Sequence, residues 1–235
     1  MNDTLAEAAA QAVALVVAGD PNLVGIVALS LQISLTSVAL SCLLGLPVGA
    51  AIAVNEFPGK RLAVVVLNAL MGLPSVVVGL FVYLMLSRAG PLGALGVLFT
   101  PTAMVIAQTI LIAPLMAALS RQVVADAWLE YQDQLRSLGE TKLGAAATLL
   151  WDLRFTLVTL VMAGFGRAAS EVGAVMIVGG NIDGVTRVMT TTIALETSKG
   201  DLPLALGLGF ILLFIVLALN AGAYLVRETA QRRFG

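Results

Sequence analysis

Apolar residues fill this chain almost without a break, and its organisation is set by the few polar intervals that interrupt them, at positions 55–61, 121–154, 179–201 and 227–235. Between these lie five apolar runs, about 24–54, 62–86, 99–119, 155–178 and 202–226. Each approaches or exceeds the ~20 residues a helix needs to cross a bilayer. The first is longer than a perpendicular crossing requires and should tilt or project beyond the lipid. Ahead of it, residues 5–18 are Ala- and Val-rich but too short to span, and they read as an interfacial helix, with a sixth crossing as the alternative. The 55–61 interval, Asn-Glu-Phe-Pro-Gly-Lys-Arg, is turn chemistry. A Gly-rich link at 88–98 separates the second run from the third.

The longest polar interval, 121–154, is too long for a turn and too short for a domain. Val124, Trp128, Tyr131, Leu135 and Leu138 are spaced four, three, four and three, so they share one helical face, while Asp126, Glu130, Asp133 and Ser137 fall on another. Gly139 and Gly144 interrupt the pattern, which predicts an amphipathic helix, a break and a return to the membrane. Inside the runs, Gly45 and Gly49 form a GxxxG step around Pro47, a spacing that lets helices approach closely. Pro74, Pro101 and Pro114 free backbone carbonyls that a bundle interior must satisfy.

Composition agrees: 59% of the residues are hydrophobic and 11% charged, against roughly a quarter charged in a soluble domain, and the mean hydropathy is +1.00. The expected fold is all-α: a polytopic membrane protein of five transmembrane helices with an N-terminal interfacial segment at 1–22, a permease domain at 23–227 that includes the 121–154 loop, and a tail at 228–235. A net charge of -1 argues against a nucleic-acid partner. Cys42 is the single cysteine, lies in an apolar run and reads as a packed thiol. With no histidine, the commonest general base and metal ligand is missing, so neither catalytic nor metal-binding residues are expected.

Cations set the expected orientation. Lys60, Arg61, Arg121, Arg136, Lys142, Arg154, Arg227, Arg232 and Arg233 fall on one side, with only Arg88, Arg187 and Lys199 on the other. The positive-inside rule makes the first side and the C-terminus cytoplasmic and places the N-terminus outside. The first 22 residues contain Asp3, Glu7 and Asp20 but no cation, so no signal-peptide n-region is present and the segment is expected to be retained.

The segment Asp133-Gln134-Leu135-Arg136-Ser137-Leu138-Gly139 resembles the EAA loop of binding-protein-dependent ABC importer permeases, an acidic-small-small triplet followed at a fixed step by glycine. Gln134 and Leu135 stand where that family has two alanines, and the hydrophobic-proline element that follows appears as Leu149-Leu150-Trp151-Asp152 without a proline. From Gly164 onward, the run GFGRAASEVGAVMIVGGNIDGVTRVMTTTIALETSKGDLPLALGLGFILL is similar to tungstate-type oxyanion permeases, relatives of the molybdate and sulfate permeases. Ser170-Glu171-Val172-Gly173-Ala174 occupies the place of Gly-Glu-Phe-Gly-Ala in the molybdate branch, which favours tungstate. With the loop, the resemblance covers about half of the chain.

The resemblance implies a type I ABC importer permease of a bacterial or archaeal inner membrane, working as a homodimer in lipid with a cytoplasmic ATPase and a periplasmic or lipid-anchored oxyanion-binding protein. Asp133, Gln134, Leu135, Ser137 and Gly139 would couple to the ATPase. ATP and Mg would sit on that partner, and this chain would bind no cofactor. The residues themselves agree on one point, since no GxxxxGK[ST] phosphate loop is present: Gly59-Lys60 lacks the earlier glycine and is followed by Arg61.

Arg167 and Glu171 are four apart on one helix, so they can face each other. Ionisable residues at membrane depth are functional candidates, so Arg167, Ser170, Glu171 and Gly173 are expected at the pathway or gate, the alternative being a neutralising pair that fixes packing. The outer interval with Asn181, Arg187 and Thr190, and the hydroxyls of Thr186, Thr191 and Thr192, suggests an oxyanion contact or a surface for the delivering protein, against an ordinary solvated loop. Two other classes compete with a permease. An integral-membrane enzyme would need a catalytic constellation that is not found, and an assembly subunit would need no ATPase. Within the transporter class, molybdate or sulfate is the alternative cargo.

Overall fold

The structure is a computed structural model that describes residues 21–234, with side chains from 22 to 229. The expected interfacial helix at 5–18 and the N-terminal end of the orientation lie outside the described residues. Among the described residues there are nine α-helices and no strand: α1 Pro21–Val54, α2 Lys60–Met71, α3 Ser75–Leu86, α4 Pro101–Ser137, α5 Lys142–Asp152, α6 Arg154–Ala169, α7 Gly173–Gly179, α8 Met189–Lys199 and α9 Leu202–Phe234. A 3-10 turn, Gly93–Leu95, lies in the link before α4. Three helices, α1, α4 and α9, are long and apolar enough to cross a membrane, and the number rises to five if the bent pairs α2–α3 and α5–α6 each count as one span.

Three expectations from the sequence change here. The second run is not one helix: α2 and α3 meet at 96°. Pro74, extended at φ -64 and ψ 120, starts α3, and proline both removes a donor and pushes the preceding residue off the helical region. The fourth run is not one helix either. It starts as α6, which follows α5 at a 77° bend, and stops at Ala169, before α7 begins at Gly173. Third, the 121–154 interval does not open with a separate amphipathic helix, because α4, 37 residues long from Pro101, runs on into it and ends at Ser137. The last run also extends, as α9 reaches Phe234 within the expected tail.

The chain forms two compact units. Among the described residues, one contains 37–73, 109–167 and 220–234, and the other 21–36, 74–108 and 168–219. In the first, α1 and α4 touch through the GxxxG step. A β-carbon on Gly45 would sit 2.6 Å from Met116 Cβ, and one on Gly49 would strike the Ala117 carbonyl oxygen and come within 2.8 Å of Arg121 N. Ser120 Oγ donates to the Leu46 carbonyl at 2.9 Å across the same contact. The close approach therefore exchanges side-chain volume for backbone contact, as membrane helices commonly do. Lys60 closes the C-terminus of α1, donating to Ala53 O at 3.0 Å and to Glu56 Oε1 at 2.8 Å. That ammonium holds the Glu56 carboxyl below its ordinary range.

In the second unit α3 and α7 lie against each other. A β-carbon on Gly79 would stand 2.7 Å from Ala174 Cα. Phe99 N donates to Val178 O at 3.0 Å, tying the start of α4 to the end of α7.

Gly49→Ala should lose about 1–3 kcal/mol, the cost of forcing atoms into a filled contact. Gly25→Ala, with nothing within 4 Å of its new methyl, should be neutral or slightly stabilising. Thermal unfolding of the two detergent-purified variants checks the contrast, and equal melting would refute the contact.

Candidate functional site

The polar arm is built by two caps. Gly139 takes φ +76, and around it Gly139 N donates to Arg136 O at 3.0 Å and Glu140 N to Leu135 O at 3.1 Å. This pair of bonds is a Schellman motif, which satisfies the last carbonyls of α4 and requires a left-handed residue where glycine is least strained. The next helix starts at once: the Thr141 hydroxyl accepts from Gly144 N at 3.1 Å as the N-cap of α5. Asp133, Gln134, Leu135, Ser137 and Gly139 are thus brought together at one turn. Asp133 is exposed and pairs loosely with Arg136 at 3.8 Å. Ser137 Oγ donates to Gln134 O, and the Arg136 guanidinium lies 5.7 Å from the Trp128 ring. Leu135 points inward.

Of the expected apolar face, Val124, Trp128 and Leu135 are buried, but Tyr131 and Leu138 are exposed. The buried three join Ala127 from α4, Ala50, Ala53 and Val54 from α1, and Ala145, Ala146 and Leu149 from α5. Helix α5 therefore has one apolar face already used. Its opposite face is apolar too: Leu143 is 79% and Trp151 69% exposed, with Ala147 exposed between them. Positions i, i+4 and i+8 make one stripe. The sequence reading did not single out Leu143 and Ala147, and took Trp151 only as part of the Leu149-Leu150-Trp151-Asp152 element. Their signal was the four-residue spacing, hidden because the stripe shares eleven residues with a second apolar face.

The Arg167, Ser170, Glu171 and Gly173 group lies at a helix break. Arg167 is half-buried in the last turn of α6, and Glu171 falls beyond the helix end, so the two do not share a continuous helix as the spacing had suggested. Glu171 is 4% exposed. Its carboxylate accepts from Ala174 N at 3.0 Å, supplying the first turn of α7, and its carbonyl accepts from Thr190 Oγ1 at 2.8 Å. Ser170 is exposed. Gly173 abuts the first turn of α3, where a β-carbon would come within 2.9 Å of both Ser75 Oγ and Val76 Cγ2. Gln108, buried on α4, donates from Nε2 to Ala168 O at 3.1 Å.

The interval 179–201 is not a solvated loop. It contains α8, and Thr186, Thr190, Thr191, Thr192 and Glu196 are buried. The Thr186 hydroxyl accepts from Ile182 N at 2.9 Å and donates to Gly179 O at 2.6 Å, while Thr191 and Thr192 both donate to Val188 O. These hydroxyls hold backbone together. Thr190 lies beneath the surface, Asn181 forms the left-handed corner at φ +51, and the Arg187 guanidinium meets Asp183 at 2.9 Å. A recess of about 380 Å³ here is lined by Asp183, Glu196 and Asp201 as well as Arg187. Asp183 is paired with Arg187 and Glu196 with Lys199, each at 2.9 Å, and Asp201 adds a further carboxylate, so acid outnumbers base around the recess.

Long apolar helices, two of the spans broken, and a capped polar arm with an exposed apolar stripe define a polytopic membrane protein. No protein-family profile matches the chain. It is 43% identical over 224 residues to the tungstate uptake system permease protein TupB of Peptoclostridium acidaminophilum, covering 95% of this chain and 98% of that one. It is 43% identical over 225 residues to a probable anion ABC transporter permease protein of Haloferax volcanii, covering 92% and 97%. A second TupB, from Campylobacter jejuni, is 36% identical over 174 residues, covering 74% and 73%. The chain belongs to this family of ABC transporter permease proteins for anion uptake.

Thr190 separates a structural hydroxyl from a substrate contact. Thr190→Val should cost about 1–3 kcal/mol by leaving the Glu171 carbonyl short of a buried donor, and Thr190→Ser should not. Thermal unfolding reads this difference. Unchanged stability in Thr190→Val together with altered anion preference would make the hydroxyl a contact instead.

Proposed function

We propose that the chain is the membrane-spanning subunit of a tungstate importer that translocates the anion by alternating access, using ATP hydrolysed by a separate cytoplasmic subunit. The supporting observation is the exposed stripe of Leu143, Ala147 and Trp151 on α5. A short helix held to the body by Ala145, Ala146 and Leu149 and apolar on its free side is a surface for a partner groove. Its location within a polar interval rich in Arg and Lys favours the cytoplasmic side, with the C-terminus on the same side. Movement of α5 would reach the body through the small-residue contact with α1 and α4, and α4 continues from there without interruption. The likeness to tungstate uptake permeases supports tungstate as cargo, delivered by an external oxyanion-binding protein to a pair of permease copies in the lipid bilayer.

Leu143→Glu and Trp151→Glu alter positions exposed in the chain, so folded permease should still be recovered while co-purification of the ATPase and tungstate uptake both fall by more than tenfold. Full retention of the ATPase would place the stripe on the lipid surface and end the coupling role. In vesicles carrying the complete system, excess molybdate or sulfate should compete poorly with labelled tungstate. Equal competition by sulfate would overturn the cargo while leaving the coupling intact.

A further inference from the structure

One groove between α6 and α9, within a single compact unit, changes chemistry along its length. Val158, Thr159 and Met162 line it from α6, and Asn220, Ala223, Tyr224 and Arg227 from α9, enclosing about 310 Å³. The α9 residues follow the i, i+3, i+4, i+7 spacing of one helical stripe. The groove is apolar in its middle and cationic at one end. There Arg227 Nη1 donates to Thr159 Oγ1 at 2.7 Å, and Arg227 Nε is buried with no partner. Among the described residues Arg227 makes no ion pair.

Depth identifies what can reach it. No charge interrupts α9 from Leu202 to Val226, a length of about 37 Å at 1.5 Å per residue, against ~30 Å of hydrocarbon. Arg227 therefore stands just past the apolar core, at the level of lipid phosphates. Tyr224, 63% exposed one turn earlier, has the place of an interfacial aromatic. Toward the bilayer centre α9 presents Leu213, Phe214 and Leu217, all exposed, a surface suited to acyl chains.

We propose that this groove is a binding site for one anionic phospholipid. Its phosphate accepts from the terminal guanidinium hydrogens of Arg227 that Thr159 does not take, the Thr159 hydroxyl orients that guanidinium, and an acyl chain lies against Val158, Met162 and Ala223. A guanidinium presents a planar fork matched to phosphate oxygens. Among the described residues no carboxylate is paired with Arg227, which favours a lipid of net negative charge over a zwitterionic one.

The full-length chain, delipidated in neutral detergent, is titrated with dioleoyl phosphatidylglycerol, dioleoyl phosphatidylcholine or inorganic phosphate, with bound lipid counted by native mass spectrometry. Phosphatidylglycerol should bind roughly tenfold or more tightly than phosphatidylcholine, the scale of a hydrogen bond to a charged group, and phosphate alone should not protect the protein. Arg227→Gln should abolish the preference. Should that variant not fold, Met162→Trp, which fills the apolar part and keeps the cation, should also reduce phosphatidylglycerol binding. Equal affinity for the two lipids, or a preference that survives both variants, overturns the proposal. So does efficient disulfide formation between copies carrying Ala223→Cys, which would make a second chain the occupant.

Discussion

The hydrogen bond from a buried side chain to backbone freed at a helix break is the interaction on which this architecture depends. Water is absent at membrane depth, so each unpaired N–H or C=O there costs several kcal/mol, and a broken helix persists only where protein supplies the partners. At the α6–α7 break Gln108 reaches Ala168 O, Glu171 reaches Ala174 N, and Thr190 reaches the Glu171 carbonyl. Further along, Thr186 satisfies Gly179 O and Phe99 N takes Val178 O. The buried polar residues of this unit are largely accounted for by that task. Polar side chains inside a permease are thus ambiguous from sequence, since those that hold a break open resemble those that touch a substrate.

A second constraint acts on the other unit, where backbone meets backbone across α1 and α4. Gly45 and Gly49 leave no room for a methyl group, and the same two helices supply most of the cluster that holds α5. The arm therefore has a firm base, held by Ala145, Ala146 and Leu149 and fixed at one end by the left-handed turn at Gly139. An exposed apolar stripe on a mobile loop would pay the entropy of ordering when it docked. On this base much of that cost is met in folding.

How much the sequence disclosed follows from which forces are local. The five apolar runs, the all-α class and the Gly139 turn were legible because hydrophobic length and glycine's access to positive φ act on single segments. The breaks at Pro74 and at 170–172 were harder. Proline occurs in both kinked and unbroken membrane helices, and Pro47 and Pro114 indeed lie inside α1 and α4. No proline marks the Ser170-Glu171-Val172 break at all, which depends on donors distant in sequence. The threonines of 186–192 are hard to read for a related reason: composition gives a hydroxyl but not whether backbone already occupies it. The stripe of Leu143, Ala147 and Trp151 escaped notice because a helix apolar on two sides shows no single face.

Where the two units exchange chain sharpens the mechanical picture. The chain passes between them five times, at 36/37, 73/74, 108/109, 167/168 and 219/220. Three of these passages lie well inside the unbroken helices α1, α4 and α9, one falls at the α2–α3 break, and one lies in the last turn of α6, just before its own break. An intact helix resists bending because each turn is bonded to the next, whereas a break with satisfied ends can change its dihedrals without losing those bonds. Pro74 and residues 170–172 are therefore the interruptions in the backbone nearest the two passages that do not run through an intact helix. Those positions belong to the segments where Gly173 meets Ser75 and Val76. Gly173 has no room there for a methyl group, so the start of α7 lies directly against the first turn of α3.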